Sequence, residues 1–207
     1  NRGAFQGCIN LKNVKIPDNV GRIDASAFSQ CYAMTSITFP DSVHWIGGRA
    51  FEGCTGLTSV TIGNGVTEIA ASAFSDCANI TSVTISDSVE KIGNLVFKGC
   101  TNLREFKGKY ASDNGRCLIM DDTIVAYAIA TGTEYTIPDN VTVIGDYVFY
   151  ATEMTDVKLH DRITTIGTSA FTLCSKLSEI TLPESVTNIQ RNAFITWGSL
   201  SHRIYCK

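Results

Sequence analysis

The sequence predicts a repeat solenoid, a stack of copies of one short unit, and two observations carry this prediction. Phenylalanines recur at a fixed step, because Phe28, Phe51 and Phe74 follow one another at a constant difference of 23 in residue number. Between them, apolar and polar residues alternate over a few positions, which is typical of a short strand with one buried face. A constant period of this length indicates a protein that stacks one supersecondary unit along a line.

The phenylalanine column runs along the whole chain with two irregular steps. The step from Phe97 to Phe149 is longer than one repeat and predicts an insertion at about 108–134. The step from Phe149 to Phe171 is shorter than the regular one by a single position, which is lost before Met154. The column consists of Phe5, Phe28, Phe51, Phe74, Phe97, Phe149, Phe171 and Phe194.

Each repeat follows its phenylalanine with the same elements in order. In the repeat that begins at Phe51, Cys54 and Leu57 come first, and Val60 and Ile62 then form the inward face of a first strand. Four repeats place proline directly after this strand, where a residue without an N–H and with a fixed φ ends the ladder. A second apolar pair follows, and the closing Ala-Phe-x-x-Cys-x-x-Leu spacing suits one or two helical turns.

A single repeat cannot fold alone, because ordering about 23 residues costs more free energy than burying six or so large apolar side chains returns. Stacked repeats supply the missing burial to one another. We therefore predict one domain over 1–207 with about seven turns. Because the chain opens in the tail of a repeat and ends in an unfinished one after Phe194, we expect a piece of a longer protein.

The insertion contains a predicted β-hairpin. Residues 117–120 and 123–127 are apolar-rich, and Asp121 and Asp122 between them suit a two-residue turn. A long insertion in a solenoid often lies on the binding face, so the hairpin is one candidate for a contact surface.

The consensus L-x-x-V-x-I-P-x-x-V-x-x-I-G-x-x-A-F-x-x-C, at a period of 23, resembles the BspA-type leucine-rich repeat over nearly the whole chain. This resemblance implies a right-handed, mostly β solenoid with parallel strands and short helical turns. It also implies a secreted or cell-surface protein, often bacterial, that binds proteins of a host or a neighbouring cell. The departures are local: Gly63, Ser86 and His160 stand where other repeats have proline.

Composition and motifs argue against several function classes. A net charge of -3 and a pI near 5.6 give no basic footprint for nucleic acid. No apolar run is long enough to insert into a membrane. Nucleophile-elbow, P-loop and H-E-x-x-H motifs do not occur, and His44, His160 and His202 share no column. We therefore expect no enzyme activity and no cofactor.

An acidic column follows the prolines and allows two interpretations. Asp in this place favours turns, because its side chain can bond to its own backbone two residues on. Alternatively, stacked carboxylates form an edge that collects divalent cations such as calcium. The acidic members of this column are Asp18, Asp41, Asp87, Asp139, Asp161 and Glu184.

The cysteine column also has a structural interpretation and a chemical one. Neighbouring turns would bring thiols near disulfide distance, but stacked side chains point the same way, so we expect buried, reduced cysteines that act as small apolar residues. One thiolate per turn cannot build a tetrahedral metal site. Cys117 and Cys206 lie outside the column.

The candidate contact residues are aromatic or basic and lie outside the core columns. Trp45 has an outward position on a second strand, where either a partner or a neighbouring repeat could cover it. The first-strand face is rich in Thr and Ser and is the default binding face of a solenoid. The candidates are Trp45, His44, Tyr110, Tyr127, Arg104 and Lys107.

Together these patterns favour a non-enzymatic module, secreted or at the cell surface, that binds an extracellular or host-surface protein in adhesion. The alternative is a structural stalk that holds another domain away from the cell. An exposed aromatic patch around Trp45 or the hairpin would favour binding, and a uniformly hydrophilic surface would favour the stalk.

Overall fold

A computed structural model describes residues 1–112, 114–195 and 203–206 of the chain. The chain divides into two compact units, an N-terminal unit of Asn1–Arg116 and a C-terminal unit of Cys117–Lys207. Their boundary lies inside the predicted insertion. Each unit is a parallel β-solenoid built from the same repeat, as the sequence predicts. The assignment of 1–207 to one domain stays a prediction.

The N-terminal unit contains two parallel sheets. First strands form the sheet β3-β5-β7 and second strands form the sheet β1-β2-β4-β6. Every pairing is offset by one repeat, as in Val60 opposite Val83 and Ile46 opposite Ile69. The strands are β1 (Arg22–Ile23), β2 (Trp45–Ile46), β3 (Ser59–Thr61), β4 (Glu68–Ile69), β5 (Ser82–Thr84), β6 (Lys91–Ile92) and β7 (Glu105–Lys107).

The described part of the C-terminal unit contains three sheets, with orders β15-β13-β11-β9-β8, β10-β12 and β14-β16. All of their pairings are parallel except that between β8 and β9. The strands are β8 (Cys117–Met120), β9 (Thr123–Tyr127), β10 (Glu134–Thr136), β11 (Val143–Ile144), β12 (Asp156–Lys158), β13 (Thr165–Ile166), β14 (Glu179–Leu182), β15 (Asn188–Ile189) and β16 (Arg203–Cys206).

The hairpin of β8 and β9 has the predicted two-residue turn, with Asp121 at a φ of 55°. Its second strand, β9, is part of the solenoid. β9 pairs in parallel with β11 and so takes the second-strand place of a repeat, with Ile124 opposite Ile144. Ile124 and Leu118 are fully buried. The hairpin therefore belongs to the core of the C-terminal unit, and removing it would remove a core strand.

The expected helical turns are absent from the described residues, where β-turns replace them. N–H groups alternate between two kinds of partner: Cys31 N donates to Phe28 O within its own turn at 3.2 Å, and Phe28 N donates to Ala50 O of the next repeat at 2.7 Å. A helix would use every N–H internally and leave none for the neighbour. The alternation needs left-handed residues such as Ser26 and Gln30, with φ of 56° and 61°.

The phenylalanine column forms a ring stack inside each unit. Phe51 lies between Phe28 and Phe74 with ring centroids 5.3 and 5.1 Å away and nearly parallel planes. In the C-terminal unit, Phe149 and Phe171 stack at 5.1 Å. These separations lie in the favourable range for aromatic pairs. Each ring therefore contributes both its own burial and a contact to the repeats on either side.

We expect Phe51→Ala to lower the free energy of unfolding by about 3–5 kcal/mol, because it removes a fully buried ring and leaves a cavity between two others. Urea denaturation followed by circular dichroism measures this loss. Phe5→Ala is the matched control, since Phe5 is 44% exposed and has one stacked neighbour. It should cost less than half as much, and equal losses would contradict the importance of the stack.

Candidate functional site

The outward face of β3, β5 and β7 is polar. Because the strands pair in register, their outward side chains form two rows, one of Ser59, Ser82 and Glu105 and one of Thr61, Thr84 and Lys107. Alternate residues point inward and are buried, which fixes the outward set. The expected hydroxyl-rich face is therefore present in the N-terminal unit.

The basic candidates Arg104 and Lys107 are both exposed and lie at the edge of this face. Lys107 Nζ is 2.8 Å from Glu105 Oε1 on the same strand, so its charge is locally paired. The backbone of Arg104 is fixed by a hydrogen bond in which its N–H donates to Thr81 O at 3.0 Å. Arg104 thus presents a positive charge beside the hydroxyl rows.

Trp45 is half-buried, and the residue that covers it comes from a neighbouring repeat. The Arg22 guanidinium lies 4.4 Å from the centre of the Trp45 ring, within cation–π range. Opposite Trp45 on its other side is Glu68, which accepts from Lys91 Nζ at 3.1 Å. The second-strand column is therefore a ladder of complementary pairs. Sequence reasoning missed Arg22, although it stands one repeat before Trp45.

His44 is exposed next to this ladder. One ring nitrogen, Nδ1, is 3.2 Å from Ser42 O, and the ring packs over Gly21 of the preceding repeat. A Cβ at Gly21 would lie 2.8 Å from the ring carbon of His44. Glycine at that place therefore makes room for the imidazole, and His44 stays a surface candidate.

The two tyrosine candidates differ in burial. Tyr110 is half-buried and has Lys109 Nζ 5.1 Å from its ring centre, so it remains on the surface. Tyr127 is only 4% exposed and packs edge-on against Tyr135 and Phe149 at 5.1 Å each. The expectation that Tyr127 offers a contact side chain is corrected, since it fills the core beneath the hairpin.

The acidic column lies on exposed turns. Each turn is closed by a backbone bond, for example Val43 N to Pro40 O at 3.0 Å, with Asp41 inside the turn. Within the described part of the chain, no three His, Cys, Asp or Glu side chains are grouped to hold a metal ion. The turn accounts for the position of the carboxylates, and the cation edge stays a prediction. The column members Asp18, Asp41, Asp87, Asp139, Asp161 and Glu184 are all exposed.

The cysteine column is buried and bonded to the phenylalanine column at every member after Cys8, which is exposed. Cys54 Sγ donates to Phe28 O at 3.1 Å, and Cys77 Sγ donates to Phe51 O at 3.0 Å. Burial raises the pKa of Cys54 and Cys100 to about 12. The thiolate is the reactive form of cysteine, so these thiols are inert near neutral pH. They act as core residues that satisfy a carbonyl oxygen.

Cys117, which has no place in the column, is also buried. Its Sγ lies 2.8 Å from Tyr135 Oη and gives the phenol a partner in the core of the C-terminal unit. Thr152 replaces the column cysteine in the short repeat and is 2% exposed. His202 and the side chain of Cys206 lie outside the described residues.

We expect iodoacetamide at mildly alkaline pH to label Cys8 rapidly and to leave Cys54 and Cys100 unmodified until the protein unfolds. Cys8 is exposed, whereas the other two are fully buried with a pKa of about 12 and hold almost no thiolate below that pH. Peptide mapping by mass spectrometry measures each rate. Rapid native labelling of Cys54 would contradict the buried column, and labelling in denaturant is the control.

Comparison with known proteins identifies the repeat. The sequence profile of the BspA type leucine-rich repeat region matches in six copies over residues 1–109 and 126–207. The chain therefore belongs to this family, as its consensus predicts. A search of curated proteins found no match. Among the described residues, no helix has the length and apolar character to cross a membrane.

Solved structures share the fold. A leucine-rich cell surface protein from Faecalibacterium prausnitzii is 26% identical with a TM-score of 0.74, and the match covers 95% of this chain and 60% of that one. A Bacteroides ovatus leucine-rich repeat protein is 24% identical (TM-score 0.55; 99% and 71% covered). The pneumococcal vaccine antigen PcpA is 20% identical (TM-score 0.63; 82% and 50% covered). The chain thus spans less than two thirds of the first of these proteins.

Proposed function

We propose that this chain is a non-enzymatic, protein-binding module of a secreted or cell-surface protein, acting in adhesion to a host or neighbouring-cell protein. The observation that carries the proposal is the outward face of β3, β5 and β7, with two aligned rows of polar side chains. Repeat proteins use extended faces of this kind to bind partners.

The chemistry of the face suits a polar protein surface. Hydroxyl groups of Thr61 and Thr84 can each donate and accept a hydrogen bond, so they match either backbone or side-chain groups of a partner. Their side chains are short and β-branched, and lose little conformational entropy on contact. The exposed Arg104 beside them adds a charge that fixes orientation.

The proposed location at the cell surface draws support from the family and from one neighbour. The F. prausnitzii protein, at 26% identity, is a cell surface protein of the same fold. The proposed lack of catalysis draws support from the thiols, because burial raises the pKa of Cys54 and Cys100 far above neutral pH. These two thiols are therefore not available as nucleophiles in the folded protein.

A pull-down from extracellular-matrix and serum proteins, with bound proteins identified by mass spectrometry, tests the proposal. We expect a specific partner for the wild type and its loss in the double variant Thr61→Arg, Thr84→Arg, which places two bulky cations on the face. Thr67→Arg is the matched control, since Thr67 is exposed beside the second-strand sheet. The hairpin is not deleted, because β9 is a core strand.

The outcomes separate the two functional candidates. Retention of the partner by the double variant would move the binding site away from the β3-β5-β7 face. The absence of any specific partner at micromolar protein would overturn the adhesion proposal and favour the structural stalk. Circular dichroism of each variant, matched to wild type, shows that loss of binding is not loss of folding.

A further inference from the structure

The first-strand ladder is interrupted between β12 and β14 of the C-terminal unit. These strands stand one repeat apart, as β3 and β5 do, so Val157 and Ile180 occupy equivalent places. β3 and β5 are hydrogen-bonded along their length, whereas β12 bonds to β10 and β14 bonds to β16. In the fully described stretch 155–182, no backbone hydrogen bond joins the two strands.

The interruption leaves main-chain groups facing the gap. Asp156 N donates to Thr133 O and Ile137 N donates to Lys158 O, so the groups of Asp156 and Lys158 are used toward β10. Successive residues of a strand direct their N–H and C=O groups to opposite edges. The N–H and C=O of Val157 therefore point toward β14 and find no backbone partner there.

A groove of about 330 Å³ opens at this gap, at the lower end of the ~300–1,000 Å³ that small binding sites occupy. Three carboxylates line it, those of Asp156, Asp161 and Glu179, together with one cation, Lys158. Lys158 Nζ is 3.9 Å from Asp156 Oδ2, a distance at the limit of an ion pair. The groove is therefore net negative, and its floor offers unpaired backbone groups.

We propose that this groove takes an arginine side chain of the protein partner, presented on an extended segment. The inference rests on the adhesion function proposed above and names the chemistry that the partner must bring. A guanidinium carries five N–H donors in a planar fork, which suits carboxylates and a carbonyl edge together. Its charge complements the three carboxylates, whereas a lysine ammonium lacks the planar geometry.

A metal ion is the competing cation, and the arrangement disfavours it. Within the described residues, the carboxylates of the groove do not approach one another closely enough to form a group of three metal ligands. A guanidinium does not need such a group, because its planar fork of N–H donors can bond one carboxylate in two places and has donors left for a carbonyl oxygen.

Titration of ¹⁵N-labelled protein with acetyl-(Gly-Arg)₃-amide, followed by backbone NMR, tests the proposal. We expect the amide signals of Val157 and Leu159 to shift most. The isosteric neutral peptide with citrulline for arginine should bind at least about tenfold more weakly, since it loses charge-assisted hydrogen bonds. Equal affinity for citrulline, or shifts centred away from the groove, would overturn the proposal.

A pair of glutamate variants sharpens the test. Glu179 lines the groove, whereas Glu90 is exposed outside both the groove and the β3-β5-β7 face. Glu179→Gln should weaken arginine-peptide binding by about tenfold, and Glu90→Gln should change it by less than about twofold. Equal losses would indicate nonspecific attraction to an acidic surface and sink the proposal.

Hydrogen exchange tests the gap itself without any ligand. Ile62 N, directly after β3, donates to Thr84 O at 2.9 Å, and Leu159 takes the equivalent place after β12. We expect the Leu159 amide to exchange much faster than that of Ile62 in the free protein. Equal protection in the free protein would show a closed ladder and no groove.

The two proposals can fail separately. If the captured protein is lost by the Thr61→Arg, Thr84→Arg variant and retained by Glu179→Gln, the adhesion function survives and the arginine groove is wrong. If Glu179→Gln loses the partner and the arginine peptide together, both stand. If no partner is captured but the peptide still binds at the groove, the adhesion proposal alone is overturned.

Discussion

The structure depends on main-chain hydrogen bonds that join each repeat to the next at the same place in the unit. Phe28 N to Ala50 O and the pairing of Val60 with Val83 both obey this offset. Since parallel pairing in register places equivalent positions of successive repeats over one another, each side chain packs against the side chains at the same position of its neighbours. The phenylalanine stack follows from this constraint, and so does the cysteine column, in which each buried thiol from Cys31 onward donates to the carbonyl oxygen of a phenylalanine in the repeat before.

The same offset of one repeat determines which side chains are neighbours on the surface. On the second strands of the N-terminal unit it sets Arg22 beside Trp45 and Glu68 beside Lys91, so neighbours attract or cover one another. Like charges would be brought equally close, and the acidic column lies on exposed turns, where solvent and salt screen the repulsion. A residue on this solenoid therefore has to be interpreted together with its equivalents in the repeats on either side, because they determine whether it is free to meet a partner.

The features of the fold that depend on side-chain type could be predicted from the sequence. The columns, the strand pairs and the family could all be read from repeated residue types, and the two-residue hairpin turn from Asp121 and Asp122. The turn segment was predicted wrongly as helical, because its conformation is set by left-handed backbone positions that Ser26, Arg49 and Leu95 share without sharing a residue type. The sequence predicts a surface position for Tyr127, because the insertion hides how this residue aligns with the regular repeats. Yet the step from Tyr127 to Phe149 equals the step from Phe149 to Phe171, and this spacing could have revealed a core position.

The gap between β12 and β14 has no sequence signal, because Val157 and Ile180 keep the regular offset of one repeat. It is tolerated for a reason visible elsewhere in the same two repeats. On the turn side, Phe149 N bonds Ala170 O, and on the second-strand side β13 pairs with β15. With two of three faces joined by main-chain bonds and the phenylalanine rings stacked between them, the third face can open without separating the repeats. An open first-strand ladder in such a frame exposes hydrogen-bonding groups on a surface whose position is fixed. That is the condition for binding a ligand at little cost in reorganisation.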